Sequence, residues 1–387
     1  MRIDSDRWIE QQVNFRFGNV EKIRYALLPK HQHVSVGMST LSLLIASEHR
    51  FTSMNSFDQL CKFDSKQGFF VMPQTPGQLR GRRQVRFANL VLSWGLNAPF
   101  LSNWCDAQGW NYEIAAPDLD RLPIIQFSRR KVQRERIVLF PLNREFMGAG
   151  GKNIPLNFDS LNFNNKKDRL VWRGRYTGTL SDWKTKIFWA ESLVQKDFDI
   201  IDDNLMDKYI SIPRYTIMKI MSSSSWADLG FTLKPNEQSI VDASKWKREF
   251  LLPYVKSPLS IRDQIQNKFI LAMSGNDYPS SLYWSLCSNS VVFLLENEWE
   301  TALDSGLEPW VHYVPIELSR EDIEGKFEYM ISRPKLCIEI IENAHQYMAP
   351  FLNHDLRDAA DYETLRNYHE LIIPIINLNN KWSFSRS

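Results

Sequence analysis

Three short clusters in this 387-residue chain have the residue types and spacing to bind an anionic or hydroxyl-rich ligand. The first is Gly275-Asn276-Asp277, followed by Pro279-Ser280-Ser281, where the apolar run Phe269 to Met273 gives way to a helical pattern. Gly275 removes side-chain bulk at the turn, Pro279 lacks an N–H that a helix start would orphan anyway, and Ser280 and Ser281 add hydroxyl donors. Together with backbone N–H groups at a helix N-terminus, such a loop can meet phosphate oxygens. An ordinary strand-to-helix loop has the same composition. The second cluster is Arg173-Gly174-Arg175 with Thr177 and Gly178. The planar fork of Arg173 can hold two oxygens of a phosphate at once, or it can pair with a carboxylate on a solvated loop. Arg175 reaches the same face only if the strand continues past Gly174. The third cluster is the acidic loop Glu296 to Glu300, where a carboxylate, Glu298 ahead of Glu300, can accept hydrogen bonds from ribose hydroxyls. A plain charged surface loop reads the same way.

The elements that must position these clusters are legible in the hydrophobic pattern. Phe269 to Met273, Ser290 to Leu295 and Val311 to Ile316 are apolar runs separated by a helical segment and a loop, a strand–helix–strand–loop–strand pattern of parallel α/β type. Ligands of such sheets sit beyond the carboxyl ends of the strands, where the first and third clusters fall. Leu170 to Arg173 reads as a further strand and Ser181 to Val194 as a helix capped by Ser181. Helices follow near Trp246 to Tyr254, Ser260 to Asn267, Ser319 to Ile331, Pro334 to Met348 and Asp361 to Ile372. Upstream, Thr40 to Ala46 reads as a helix, Phe69 to Met72 as a strand and Arg86 to Leu96 as a helix. Phe100 to Asp106 and Pro123 to Phe127 read as strands. The polar stretch Asn157 to Asp168 is the candidate domain junction.

Composition bounds the class. A chain of 387 residues is long enough for two domains, and 43% hydrophobic with 13% aromatic residues allows substantial cores. The net charge of +2 is too near neutral to argue for nucleic acid. Cys61, Cys105, Cys287 and Cys337 are widely spaced with no C-x-x-C pair, which speaks against a zinc site and a secreted disulfide scaffold. MRIDSDRWIEQQ lacks the apolar core of a signal peptide, and no run approaches the ~18 apolar residues of a membrane span. A reducing cytoplasm is the default expectation.

Several of these stretches resemble glycosyltransferase family 90, which holds capsule-associated xylosyltransferases, Rumi-type O-glucosyltransferases and bacterial lipopolysaccharide enzymes. The similar parts are the strand into Gly275-Asn276-Asp277, Ser-Asn-Ser-Val-Val-Phe ending at Phe293, Glu298-Trp299-Glu300, and Pro309-Trp-Val-His-Tyr-Val-Pro-Ile316. Arg169-Leu-Val-Trp-Arg-Gly-Arg-Tyr-Thr-Gly178 is similar to the family's aromatic-Arg-Gly-x-x-Thr element, and the likeness covers roughly residues 165 to 350. It implies an α/β fold of GT-B type, two Rossmann-like lobes facing across a cleft with a C-terminal helix packing back on the first. Residues 1–165 would bind the acceptor, 166–350 the nucleotide sugar, and 351–387 would return to the first lobe. The implied reaction is inverting transfer of a hexose or pentose from a UDP-sugar to a hydroxyl of a cell-surface glycan such as lipopolysaccharide core.

The resemblance further implies a donor site of Arg173, Gly174, Thr177, Gly275, Asn276, Asp277, Ser280, Ser281 and Glu298. It gives Asp106 as catalytic base, with Asp118 and Asp120 as alternatives, and requires no metal or other cofactor. Where family members often carry a cation, Tyr283 stands here, and the next downstream cation is Arg320. That departure supports a competing reading, a non-catalytic glycan- or nucleotide-binding scaffold. Two basic clusters, Arg80, Arg82, Arg83 and Arg86, then Arg129, Arg130, Lys131, Arg134 and Arg136, could attract phosphorylated core sugars or an anionic membrane surface at the inner face, or be merely solvated. Arg129, nearest a strand end, is the acceptor-binding candidate. No aromatic interleaving points to nucleic acid.

Overall fold

The computed structural model describes residues 4–20, 25–27, 41–46, 49–53, 59–71, 79–97, 99–104, 123–141, 158–178, 190, 192–195 and 203–374. The chain forms two compact units, one of Met1–Leu142, Glu300–Ser305 and Asp355–Ser387, the other of Asn143–Trp299 and Gly306–His354.

The second unit is built on a five-stranded sheet. Strands β1 (Lys167–Gly174), β2 (Ala227–Phe231), β3 (Asn267–Ala272), β4 (Val291–Leu295) and β5 (Val314–Ile316) lie in the order β2-β1-β3-β4-β5, every neighbouring pair parallel. Parallel strands are covered on both faces and therefore read as continuous apolar runs. In β4 all five residues are buried. Side-chain alternation sorts β1 and β3 onto two cores: Leu170, Trp172, Phe269 and Leu271 join one, while Val171 and Ile270 join the other with Ile265 and Trp284.

Helix starts follow local chemistry. Arg320–Ile331 is capped by Ser319, whose hydroxyl accepts from the Asp322 N–H, and Pro334–Leu352 opens on proline. Lys245–Leu251 continues into the 3-10 turn Leu252–Tyr254. The helix expected over Ser260 to Asn267 is only Ile261–Gln264, because β3 already begins at Asn267. Of the helix expected over Ser181 to Val194, residues 181–189 lie outside the described set, and Ser192–Gln195 is helical.

The first unit holds a seven-stranded mixed sheet. From Phe69–Val71 it runs through Gln59–Asp64, Arg50–Ser53, Leu41–Ile45, Pro99–Asn103 and Ile124–Gln126 to Ile137–Leu139. Pairing is antiparallel up to Pro99–Asn103 and parallel beyond it. The segment Thr40 to Ala46, expected as a helix, is instead the strand Leu41–Ile45, paired on both sides. A short apolar run carries no period that separates the two states, and tertiary pairing decided. The helix Leu79–Ser93 packs Phe87, Ala88 and Val91 into this unit's core. Helix His354–Leu371 is fixed there by Tyr368, which stacks on Phe100, accepts from the Leu101 N–H at 3.2 Å and donates to the Pro123 carbonyl at 2.8 Å. Among the described residues no helix is long and apolar enough to cross a membrane.

One buried ion pair ties down the amino edge of the parallel sheet. Lys166, just before β1, donates to Asp159 Oδ2 at 2.6 Å, to Ser290 Oγ at 3.1 Å and to the Ile265 carbonyl, while the same Asp159 oxygen accepts from the Asn289 N–H at 2.9 Å. Burial pulls the Lys166 pKa down against the pull of Asp159. Removing one partner leaves the other charge buried and alone, a loss of about 3–5 kcal/mol. Lys166→Met should therefore lower unfolding stability by about that amount, read as the shift of the urea midpoint of the second unit at unchanged slope. A loss below about 1 kcal/mol would mean that water reaches the pair.

Candidate functional site

The order β2-β1-β3-β4-β5 reverses direction between β1 and β3, and at such a switch point the loops leaving the two strands diverge and open a crevice. Leu170 and Val171 pair with Phe269 and Ile270, so the two chains leave the sheet side by side. The loop after β1 carries Thr177 and Gly178, and the loop after β3 carries Gly275, Asn276 and Asp277. The structure joins them: the Gly178 N–H donates to Asn276 Oδ1 at 3.1 Å. A Cβ on Gly275 would lie 2.7 Å from Arg214 Nη2 and would also strike the Thr177 hydroxyl, so only glycine lets the loops approach this closely. Gly174 serves the same edge, since any Cβ there would run into the Trp172 ring.

Arg214 is the residue that pattern reading missed. It stands in the first turn of helix Pro213–Met221, and its guanidinium reaches across both loops. Nε donates to the Ser274 carbonyl at 3.0 Å, Nη1 to the Arg175 carbonyl at 3.0 Å and to Thr177 Oγ1, and Nη2 to the Met273 carbonyl at 3.2 Å. The same group lies 5.3 Å over the Trp172 ring. One signal was available in the sequence. A cation in a first helical turn opposes the helix dipole, so it must be placed there by something else.

Other expected residues sit differently. Arg173 is at the end of β1 as expected, but its fork is engaged by protein: Nη2 donates to Asp228 Oδ1 at 2.8 Å, Nη1 to the Asp228 and Trp172 carbonyls, and Nε to the Ser257 carbonyl at 3.0 Å. Arg175 pairs with Glu237 and Lys268 with Asp168, both structural ties. Ser281 begins a helix of only six residues, Ser281–Leu286, too short to add much dipole to the loop. Ser280 is exposed beside it. Glu298 is exposed at the carboxyl end of β4, where the Asn297 side chain accepts from the Trp299 N–H at 2.9 Å and donates to the Leu295 carbonyl at 3.2 Å. Arg320 bonds Ser223, Glu324 and the Ile220 carbonyl. Asp106, Asp118 and Asp120 lie outside the described residues.

In the first unit, Arg129 is not placed to meet an acceptor. It is fully buried, with Nε on Glu300 at 2.6 Å and its remaining donors on the carbonyls of Phe15, Arg16 and Ile137. Arg83 is also enclosed, bonded to the Trp104 carbonyl and lying over Phe127, and Arg130 is buried. These three cations thus supply no charge to a surface patch. Burial raises the Glu300 carboxyl, but the hydrogen bond from Arg134 and the charge of Arg129 outweigh it and hold the group below the usual carboxylate range. Among the described residues no group of three or more His, Cys, Asp or Glu is placed to hold a metal ion.

Asp228 behaves as Glu300 does. Burial raises its carboxyl, and hydrogen bonds from Lys256 and Arg173 more than reverse that. A depressed carboxyl stabilises the fold above its unfolded value, about 3.9, and that contribution disappears as pH falls through the lower folded value. Asp228→Asn should accordingly be less stable than the parent at neutral pH. The two should converge in acid below about pH 3.9, measured by urea unfolding across that range.

The model described as Glycosyl transferase family 90 matches residues 223–373. The chain is similar to the O-glucosyltransferase LpsA of Dichelobacter nodosus, 29% identical over 123 residues, which are 32% of this chain and 39% of that protein. It is similar to the O-glucosyltransferase rumi homolog of Aedes aegypti, 26% identical over 116 residues, 29% of this chain and 28% of that one. A third relative is the uncharacterized protein 035R of Invertebrate iridescent virus 3, 29% identical over 99 residues that make up 9% of its length. The chain thus spans well under half the length of the curated relatives it matches. The family segment contains β2 to β5, the Gly275 loop and the Glu296 to Glu300 loop, while β1, Thr177 and Arg214 lie ahead of it. Residues 223–373, with the parallel strands and strand-end loops they contribute, thus match glycosyl transferase family 90.

Proposed function

We propose that this protein is a glycosyltransferase that moves a hexose or pentose from a UDP-sugar to a hydroxyl of a cell-surface glycan of the lipopolysaccharide-core kind. The observation that carries the reading is the convergence of Thr177, Gly275 and Asn276 at the switch point of a parallel sheet in a chain of this family. The diphosphate would rest on the loops after β1 and β3, with Asp277, Ser280 and Ser281 beside it, while Arg173, whose fork is on Asp228, would hold the strand end in place. Glu298, exposed beyond β4, would take the ribose hydroxyls. The acceptor would be received by the first unit, in the GT-B manner, in a compartment where the UDP-sugar is made, the cytoplasm.

In the proposed chemistry the acceptor oxygen forms a bond to the anomeric carbon as the bond to the β-phosphate oxygen breaks on the opposite side. Configuration inverts. Asp106 takes the hydroxyl proton, and UDP leaves as an anion whose charge is met by protein donors without a metal. The buried Arg83, Arg129 and Arg130 give no support to a membrane-facing patch. A second reading, a non-catalytic binding member of the family, is favoured by Tyr283 at the expected cation and by the engagement of Arg173 with Asp228.

Calorimetric titration with UDP, UDP-glucose, UDP-galactose and UDP-xylose, each with and without chelator, tests the donor site. Saturable binding to one of them, unchanged by chelator, is the expected result. A folded protein that binds none would remove the reading. For the base, Asp106→Asn should reduce transfer by roughly 10²–10⁴-fold with UDP affinity nearly intact. Binding without turnover in the parent chain would select the non-catalytic reading.

A further inference from the structure

A diphosphate at the carboxyl edge of a parallel sheet needs the carbonyl oxygens of the flanking loops turned away from it. Carbonyls of the loops just past the strand ends carry partial negative charge and repel an anion, while N–H groups attract it. In the second unit, Arg214 takes up three such carbonyls, those of Arg175, Met273 and Ser274, from the loops that flank the switch point. Its guanidinium lies 5.3 Å over the Trp172 ring at the same place. It also donates to Thr177 Oγ1. A hydroxyl that accepts from a cation keeps its own proton to donate, so Arg214 orients Thr177 as a donor. Gly275 has no room for a side chain beside these groups, and the Ser274 hydroxyl is buried without a hydrogen-bond partner.

We infer that Arg214 is the positioning residue of the donor site: it draws the carbonyls of both loops inward and aims the Thr177 hydroxyl at the diphosphate. The inference rests on the UDP-sugar reading proposed above and names what that reading lacked. Where Tyr283 replaces a cation and Arg173 is tied to Asp228, Arg214 reaches the crevice from a third segment of chain.

The test compares UDP with uridine by calorimetry on the parent, Arg214→Lys, Arg214→Gln and Thr177→Val. Uridine lacks the diphosphate, so a variant that merely loosens the fold weakens both ligands alike. Charge-assisted hydrogen bonds set the scale, about tenfold or more in affinity for each one lost. Arg214→Gln should therefore weaken UDP by about 100-fold and leave uridine within about twofold. Arg214→Lys, which keeps the charge but cannot span four acceptors, should fall between Gln and the parent. Thr177→Val leaves Arg214 in place, so it keeps the test open if the arginine variants fail to fold, and it should weaken UDP alone by about tenfold. Equal losses for UDP and uridine, or UDP affinity unchanged in Thr177→Val, would overturn the inference and leave the donor reading standing. A parent that binds uridine but not UDP would overturn it too. A parent that binds neither ligand removes the donor reading and the inference with it.

Discussion

A parallel sheet can satisfy its backbone and bury both faces only if each strand is followed by a crossover that returns over one face or the other. That constraint governs the second unit. The crossover after β1 leads to β2 on one side, and β3 lies on the other, so the chain ends of β1 and β3 are neighbours whose continuations part. The switch point is thus a consequence of strand order. What the sequence adds is the choice of residues small enough, at Gly174 and Gly275, and polar enough, at Thr177 and Asn276, to let the two loops meet.

The two ends of this sheet use charge in opposite ways. At the amino edge, Lys166 and Asp159 are buried together and knit β1, β3 and β4 to the segment that precedes them. At the carboxyl edge, Arg214 bonds the carbonyls of both loops, while Arg173 is paired with the Asp228 carboxylate. A cation whose partners are carbonyl dipoles keeps its net charge, whereas one paired with a carboxylate is neutralised. Arg214 therefore joins its guanidinium to the carbonyls of two loops, whereas Lys166 is spent on the Asp159 carboxylate.

In the first unit, three of the cations that read as a surface patch, Arg83, Arg129 and Arg130, are internal. Arg129 is enclosed because carbonyls from Phe15, Arg16 and Ile137 and the carboxylate of Glu300 converge on it, and Glu300 lies 171 positions further along the chain. Arg16 and Asp361 form another such pair, 345 positions apart. Nothing local distinguishes an arginine with so distant a partner from one in solvent. The thiols of Cys287 and Cys337, pushed up to about 12 by burial, are unreactive core residues, in keeping with their scattered spacing.

Much of the second unit was legible in the sequence because its signals are local. Apolar runs marked β1, β3, β4 and β5, glycine and proline marked the strand ends, and Ser319 and Pro334 marked helix starts to within a residue. Motif spacing was enough to name the family. Leu41–Ile45 was misread because a five-residue run with four apolar residues fits a helix or a strand equally until partners are present. The site shows the same division. Sequence alone determined that Thr177, Gly275 and Asn276 stand at strand ends, since periodicity fixes where a strand stops. Only the tertiary structure decided that they meet, that Arg173 and Arg129 are committed elsewhere, and that Arg214 holds the two loops, because each of these facts depends on contacts between segments far apart in the chain.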